Sequence, residues 1–195
     1  MLDGEEKIVA LAIGGDPKAF GTLYDHYQPQ IYRFLFLKVA GREEAEDLTH
    51  QVFLNAWLGI PRYKHRGYPF SSWLYQIARN QVVDHYRARR ETVSLEETDP
   101  EAFADKFSEG DLDKNLEVER VMAVIRDLKQ EYQDVLILRF VEDLSVKEVA
   151  STMDKSEGAI KLLQHRALRV LREKLGESHL ESSEETDDID NDNNE

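Results

Sequence analysis

The sequence predicts an all-α protein: two small helical domains joined by a flexible acidic linker, the C-terminal one a helix-turn-helix. Three observations carry this. Apolar residues recur at spacings of three and four through residues 17–90 and again through 116–175, the signature of amphipathic helices. Alternation of the strand type is too weak to support a sheet. Between the two periodic blocks, residues 91–115 hold Pro100 and Gly110 among many acids, with only scattered Leu and Phe. Such a composition buries too little apolar surface to offset chain entropy, so it reads as a tether. A length of 195 residues suits one ordinary domain or two small ones. The expected organisation is a domain at 1–90, a linker at 91–115, a second domain at 116–176 and a disordered acidic tail at 177–195.

In chain order, Phe20, Leu23, Tyr24, Tyr27, Ile31, Phe34 and Leu35 form the first apolar stripe. Pro29 would disturb one continuous helix there, unless it begins a new one. Gly41 closes the block. Residues 43–58 carry Ala45, Leu48, Val52 and Ala56 at helical spacing, with Glu43, Glu44 and Glu46 suited to a helix N-terminus. Gly59, Pro61, Gly67 and Pro69 then mark a loop. Ser71 can cap a helix over 72–90, whose apolar face is Trp73, Leu74, Ile77, Ala78 and Val82.

In the second domain, Val121, Val124, Ile125 and Leu128 share a face, and Val135, Leu136, Leu138 and Phe140 follow in a second helix. Ser145 and Glu148 have the spacing of a capping box and start a third helix. Asp154 falls in a turn where a left-handed residue is needed, a conformation Asp tolerates better than most. A fourth helix over 156–174 carries Ile160, Leu163, Ala167, Val170 and Leu171.

Taken whole, the net charge of −14 argues against a nucleic-acid partner, but its distribution reverses that reading. Residues 91–119 hold 11 acids and 2 bases, and residues 177–195 hold 9 acids and no Lys or Arg. The remainder holds 23 bases against 19 acids. Residues 62–90 alone hold seven bases (Arg62, Lys64, Arg66, Arg79, Arg87, Arg89, Arg90) against Asp84. Local charge, not whole-chain charge, steers association with DNA. The absence of Cys excludes disulfides and thiolate zinc sites. The longest apolar run, Val135 to Val141, is interrupted by Arg139 and is far short of a membrane span. The acidic start lacks the basic residues of a signal peptide. A soluble, cytoplasmic protein without membrane insertion is expected.

Three constellations bear on function. Two short helices joined by a turn at residue 154 have helix-turn-helix geometry, whose second helix enters the major groove. In that helix Lys161, His165, Arg166, Arg169 and Arg172 face away from the apolar stripe, with donors for phosphates and base edges. A helical hairpin with a solvated basic face would look the same. From Arg62 to Arg90, bases alternate with Tyr63, Tyr68, Phe70, Trp73, Tyr75 and Tyr86. Such a mixture holds single-stranded nucleic acid, cations on phosphates and rings against bases. The competing reading makes Phe70 and Trp73 core residues. The helix over 43–58 could dock on a partner protein through Asp47, Gln51, Leu54 and Asn55, or merely pack. No Gly-rich phosphate loop, His-Glu-x-x-His run or carboxylate cluster at metal spacing is present, so neither enzyme, cofactor nor metal site is expected.

Taken together, three stretches resemble the extracytoplasmic-function (ECF) class of bacterial sigma factors, in the sigma-70 superfamily. Glu44-Ala45-Glu46-Asp47-Leu48-Thr49-His50-Gln51-Val52-Phe53-Leu54 is similar to its polymerase-binding helix. Residues 69–80, Pro-Phe-Ser-Ser-Trp-Leu-Tyr-Gln-Ile-Ala-Arg-Asn, continuing to Asp84 and Arg87, resemble its signature for promoter melting and minus-ten recognition. Glu148-Val149-Ala150, Ser156 to Lys161 and His165-Arg166-Ala167 resemble its minus-thirty-five helix-turn-helix. The resemblance implies a non-catalytic protein that binds core RNA polymerase and promoter DNA to initiate transcription. Many relatives are also held by an anti-sigma protein.

It implies that Asp47, Leu48, Gln51 and Leu54 face the polymerase. It puts Tyr63, Lys64, Phe70, Asn80, Asp84 and Arg87 at the minus-ten element. It puts Lys161, Leu162, His165, Arg166 and Arg169 at the minus-thirty-five element. This chain departs from the family pattern at Asp154, usually Gly, and Thr152, usually apolar. Leu162 and Leu163 stand where Ser and Arg are common, so Leu162 would read DNA by apolar contact, as with a thymine methyl. The alternatives are a stand-alone helix-turn-helix regulator using residues 116–175 only, and a protein-interaction adaptor without a DNA role. The acidic tail could fold back and compete with DNA phosphates for the recognition helix, or simply aid solubility.

Overall fold

The computed structural model describes residues 2–39, 41–65, 67–93 and 116–187. Arg66, the linker from 94 to 115 and the tail from 188 onward lie outside the described residues. The first domain comprises α1 (Glu5–Ile13), α2 (Pro17–Phe36), α3 (Arg42–Gly59), a single 3-10 turn (Ile60–Arg62) and α4 (Phe70–Val93). The second comprises α5 (Leu116–Arg126), α6 (Gln130–Phe140), α7 (Val146–Met153) and α8 (Glu157–Asp187). Among the described residues there is no strand, and no helix is long and apolar enough to cross a membrane.

Helix α1 is absent from the sequence expectation because its stripe is short, burying only Glu5, Val9 and Ala12. Its buried Glu5 explains more than α1. One carboxylate oxygen accepts the Phe70 backbone N–H at 2.8 Å, and the other accepts the Tyr27 hydroxyl. Thus α4 starts at Phe70, two residues before the expected 72, and is capped by a side chain 65 residues away rather than by Ser71. Burial, reinforced by the Glu5 charge, pushes the Tyr27 phenol far up, so it stays a neutral donor. Glu5→Ala removes a charged acceptor from two buried donors. It should therefore lower stability by about 2–3 kcal/mol in urea unfolding.

Helix α2 starts at Pro17 behind Asp16, whose side chain accepts the N–H groups of Lys18 at 2.9 Å and Ala19 at 3.4 Å. It runs unbroken through Pro29, against the expectation of a disturbance. Proline withdraws one helical N–H, and Leu23, Tyr27, Ile31 and Phe34, buried on both sides of it, hold the helix in place. In the second domain Ser145 and Glu148 form the reciprocal capping box, with bonds of 3.2 and 2.7 Å. Asp154 adopts φ 52°, ψ 47°, the left-handed turn its position calls for.

Helix α8 is much longer than expected. It continues through Gly176 to Asp187, so residues 177–187 are helical rather than without structure. At 1.5 Å rise per residue, the helix carries residue 187 roughly 27 Å beyond Arg169.

The two cores meet. Leu23, Phe34, Val52, Leu74 and Val82 fill the first domain, and Val135, Leu138, Val149, Ile160 and Ala167 the second, all fully buried. Helix α4 packs on α7. Ion pairs join the halves: Asp134 with Lys38 and Arg79, and Glu142 with Arg33.

Candidate nucleic-acid interface

The loop between α3 and α4 is held close to the helix that follows it. A Cβ on Gly59 would lie 3.3 Å from the Trp73 ring, so glycine leaves room for the indole. Tyr63 rests half-buried against Trp73, ring centroids 4.9 Å apart, and against Phe70 at 5.4 Å. Burial and the Glu5 charge push the Tyr63 phenol up. These rings back a cleft of about 420 Å³, with the exposed Arg62 and Lys64 on its rim and Tyr68, Ser72 and Gln76 along its wall. Ser72 Oγ is buried without a hydrogen-bond partner. Ring, cation and hydrogen-bonding groups within one cleft suit an unstacked base with its phosphate.

The structure corrects one of the residues expected at this cleft, and one aromatic and one base of the stretch. Phe70 is 1% exposed and is part of the core, so it supports Tyr63 and Trp73 from beneath instead of meeting DNA. Tyr75 is also 1% exposed; its hydroxyl donates to Glu142 at 2.8 Å, and burial beside that carboxylate pushes its phenol up. The reason is helical phase: Phe70, Leu74, Ala78 and Val82 lie on the inner side of α4. Arg79, counted among the bases of this stretch, pairs with Asp134 at 2.8 Å. Asn80, Asp84 and Arg87 do share the exposed side of α4, with Arg87 3.3 Å from Asp84. Lys64 and Tyr63 remain at the cleft.

On α3, Asp47, Gln51 and Leu54 are exposed, but Leu48 is 8% exposed and belongs to the core stripe with Ala45 and Val52. The expected set of four therefore loses Leu48, for the same reason of helical phase. Sequence reasoning missed Trp57 and Leu58, which are 37% and 66% exposed and extend the Leu54 face. Their signal was apolar residues outside the core spacing of 45, 48, 52 and 56. Trp57 sits edge-on to Phe20 at 4.9 Å, which fixes its ring on the surface.

On α8, Ile160, Ala167 and Leu171 are buried while Lys161, Leu162, His165, Arg166 and Arg169 are exposed, Leu162 at 52%. The helix is set by its neighbours: Arg139 Nε donates to Gln164 at 3.2 Å and its guanidinium also reaches the Leu144 carbonyl. Ser156 caps it by accepting the Ala159 N–H at 3.2 Å. Among the described residues no cluster of His, Asp or Glu is placed to hold a metal ion.

Residues 23–92 match the family described as Sigma-70 region 2, and residues 124–173 the one described as Sigma-70, region 4. The chain is 38% identical over 169 residues to ECF RNA polymerase sigma factor BldN of Streptomyces coelicolor, covering 85% of this chain and 63% of that relative's length. It is 32% identical over 176 residues to ECF RNA polymerase sigma factor SigD of Mycobacterium tuberculosis, covering 87% of this chain and 83% of SigD. The fold is similar to that of the sigma factor RpoE, solved with the anti-sigma factor NepR from Bartonella quintana, at TM-score 0.70 and 21% identity over 82% of this chain and 98% of that one. It is also similar to CnrH, solved with the cytosolic domain of CnrY, at TM-score 0.68 and 22% identity over 88% of this chain and 97% of that one. With a region 2 domain carrying an aromatic-lined cleft, a region 4 domain exposing a basic recognition helix, and both in family order, this chain belongs to the ECF RNA polymerase sigma factors.

Proposed function

We propose that this chain binds core RNA polymerase and directs it to promoters, reading the minus-thirty-five element as duplex and the minus-ten element as single strand. The observation that carries this reading is the pairing of two different nucleic-acid surfaces on one chain. The cleft beside Tyr63 and Trp73 suits an extruded base, and the outer side of α8 suits a major groove. A plain duplex-binding regulator has use for the second surface only.

In this mechanism α3 docks on polymerase through Asp47, Gln51, Leu54, Trp57 and Leu58. Lys161, His165, Arg166 and Arg169 engage the minus-thirty-five groove, and Leu162 meets base edges there by apolar contact. Extruding a minus-ten base costs a few kcal/mol of stacking, which the cleft offsets by enclosing it against Tyr63 and Trp73. Lys64 and Arg62 neutralise the flanking phosphates, and Asn80, Asp84 and Arg87 lie further along α4. Bond formation belongs to the polymerase. An anti-sigma protein is the regulatory partner this reading implies, as NepR is for RpoE of Bartonella quintana.

The test is a pull-down of bacterial core polymerase with the full chain, followed by transcription from a promoter library. Stable binding with new start sites supports the reading. Retained duplex binding without polymerase binding favours a stand-alone regulator. Arg166→Ala should weaken a recovered minus-thirty-five duplex by about 1–3 kcal/mol if Arg166 reads a base, and unequally across base substitutions in electrophoretic mobility shifts.

A further inference from the structure

Helix α1 touches the loop that carries the cleft at three points. The 3-10 turn Ile60–Arg62, where the loop begins, packs on α1. Midway, His65 Nε2 lies 4.0 Å from Glu6 Oε1, with both side chains well exposed. At the end of the loop, the Phe70 N–H donates to Glu5 at 2.8 Å. That last contact is buried: Glu5 is 8% exposed and Phe70 1%. Exposed charge contacts contribute little, so Glu5 rather than Glu6 is the anchor. The anchor is itself fixed. Val9 and Ala12 of α1 are buried, α1 packs on α2, and the second Glu5 oxygen accepts the Tyr27 hydroxyl of α2. Helix α1 precedes residues 23–92, the stretch that matches Sigma-70 region 2.

Phe70 opens α4, and the first N–H groups of a helix have no partner within it. A carboxylate there satisfies one of them through a charge-assisted bond and faces the positive end of the helix dipole. The residues that follow the cap are the wall of the cleft: Ser72, Trp73 and Gln76 lie in the first two turns of α4. The Ser72 N–H closes the entry turn on the Pro69 carbonyl at 3.1 Å. The Phe70 ring lies 5.3 Å from Trp73 and 5.4 Å from Tyr63, so it backs both rings of the cleft. An uncapped first turn frays, and fraying here displaces Phe70 and Trp73 together.

We propose that Glu5 is a positioning residue for strand capture: by capping α4 from α1 it holds the Tyr63 and Trp73 rings where an extruded minus-ten base can enter between them and the rim cations. The identity of the ligand rests on the sigma reading above; the brace between α1 and α4 does not. Glu5 touches no nucleotide in this scheme. It acts through the Phe70 N–H, and its bond to Tyr27 keeps the carboxylate from swinging away. The two bonds therefore have different consequences. Loss of the Phe70 bond loosens the cleft, whereas loss of the Tyr27 bond lowers stability and leaves the cap in place.

The test compares Glu5→Ala, Glu5→Gln, Glu5→Asp and Tyr27→Phe in the full chain. Amide exchange read residue by residue by NMR reports on the brace, with the Phe70 rate divided by that of Val52 in the core so that global unfolding cancels. Glu5→Ala should raise this ratio at least about fivefold, while Tyr27→Phe leaves it within about twofold. Gln can accept from Phe70 and donate to Tyr27, so Glu5→Gln should keep the parent ratio. Strand capture is read on polymerase-bound chain by fluorescence anisotropy, with the non-template minus-ten strand of a promoter recovered from the library. Ser151 and Asp154 of the second domain also line the cleft and are the same in every variant. Glu5→Ala should bind the strand at least about tenfold more weakly, within the range of one lost stacking contact, and Glu5→Gln should restore it. Tyr27→Phe should bind it as the parent does, although it too loses stability. The minus-thirty-five duplex should bind all four alike. Should Glu5→Ala not fold, Glu5→Asp, one methylene too short to reach both donors, takes its place with a smaller defect of the same pattern. Equal strand defects in Tyr27→Phe and the Glu5 variants would reduce Glu5 to a stability role and overturn the proposal. So would an unchanged Phe70 ratio in Glu5→Ala and Glu5→Asp. If the chain does not bind polymerase, the sigma reading fails by itself, and the Phe70 amide still decides the brace.

Discussion

Replacing Leu54 and Leu58 together by Glu will weaken binding to core polymerase by at least about 30-fold, roughly 2 kcal/mol or more, while leaving the fold intact. The two leucines are 51% and 66% exposed and stand one helical turn apart beside Trp57 at 37%. Three large apolar side chains on one turn of a surface helix are the kind of patch that marks a binding face. Fully burying a Leu in an interface contributes about 1.5–3 kcal/mol, and a carboxylate in its place must be desolvated instead. Since neither leucine is in the core, thermal unfolding should move little. Fluorescence anisotropy with labelled chain and unlabelled core polymerase measures the affinity. Unchanged affinity would place the docking face elsewhere. Leu48→Ala is the contrasting control: it lies in the core and should lower stability first.

Tyr63→Ala is expected to reduce open-complex formation roughly 5- to 150-fold, the equivalent of the roughly 1–3 kcal/mol a stacked ring contributes per base. Tyr63→Phe should restore most of it. The two variants separate ring from hydroxyl, since burial holds the phenol neutral and the ring alone faces Trp73 at 4.9 Å. Permanganate reactivity of unpaired thymines in polymerase-bound promoter reads melting directly. A defect shared equally by both variants would point to the hydroxyl. No defect in either would remove Tyr63 from the cleft's function. The minus-thirty-five duplex should bind Tyr63→Ala as it binds the parent, because α8 lies outside the cleft.

Much of this was legible from short-range patterns. The helices of both domains after α1 follow from apolar residues at three- and four-residue spacing, the start of α7 from a capping box, and the turn before α8 from one Asp able to take φ 52°. The outward set Lys161, His165, Arg166 and Arg169 follows from the same arithmetic, since α8 buries Ile160, Ala167 and Leu171. Where two patterns competed, periodicity was the better guide. Resemblance to family motifs turns Leu48 and Phe70 toward polymerase and DNA, yet both lie on the apolar phase of their helices and are buried. A motif tells which residues occur together, not which of them serve the scaffold.

Other features were beyond the reach of any window along the chain. Thr152, odd as a polar residue buried in α7, makes sense only beside the Ser72 carbonyl, 80 residues away. The start of α4 was displaced because its cap, Glu5, comes from a helix 65 residues earlier. By itself the sequence determined the two helical domains, their order, the exposed basic face of α8 and the family they share. Periodicity and capping act within a few residues, so a single helix carries them whole. The tertiary structure alone decided that the domains close on one another over the cleft. That contact depends on pairs such as Lys38 with Asp134 and Arg33 with Glu142, 96 and 109 residues apart. Each of those residues, read locally, is one more charge on a polar chain, and only folding shows which charges are buried together.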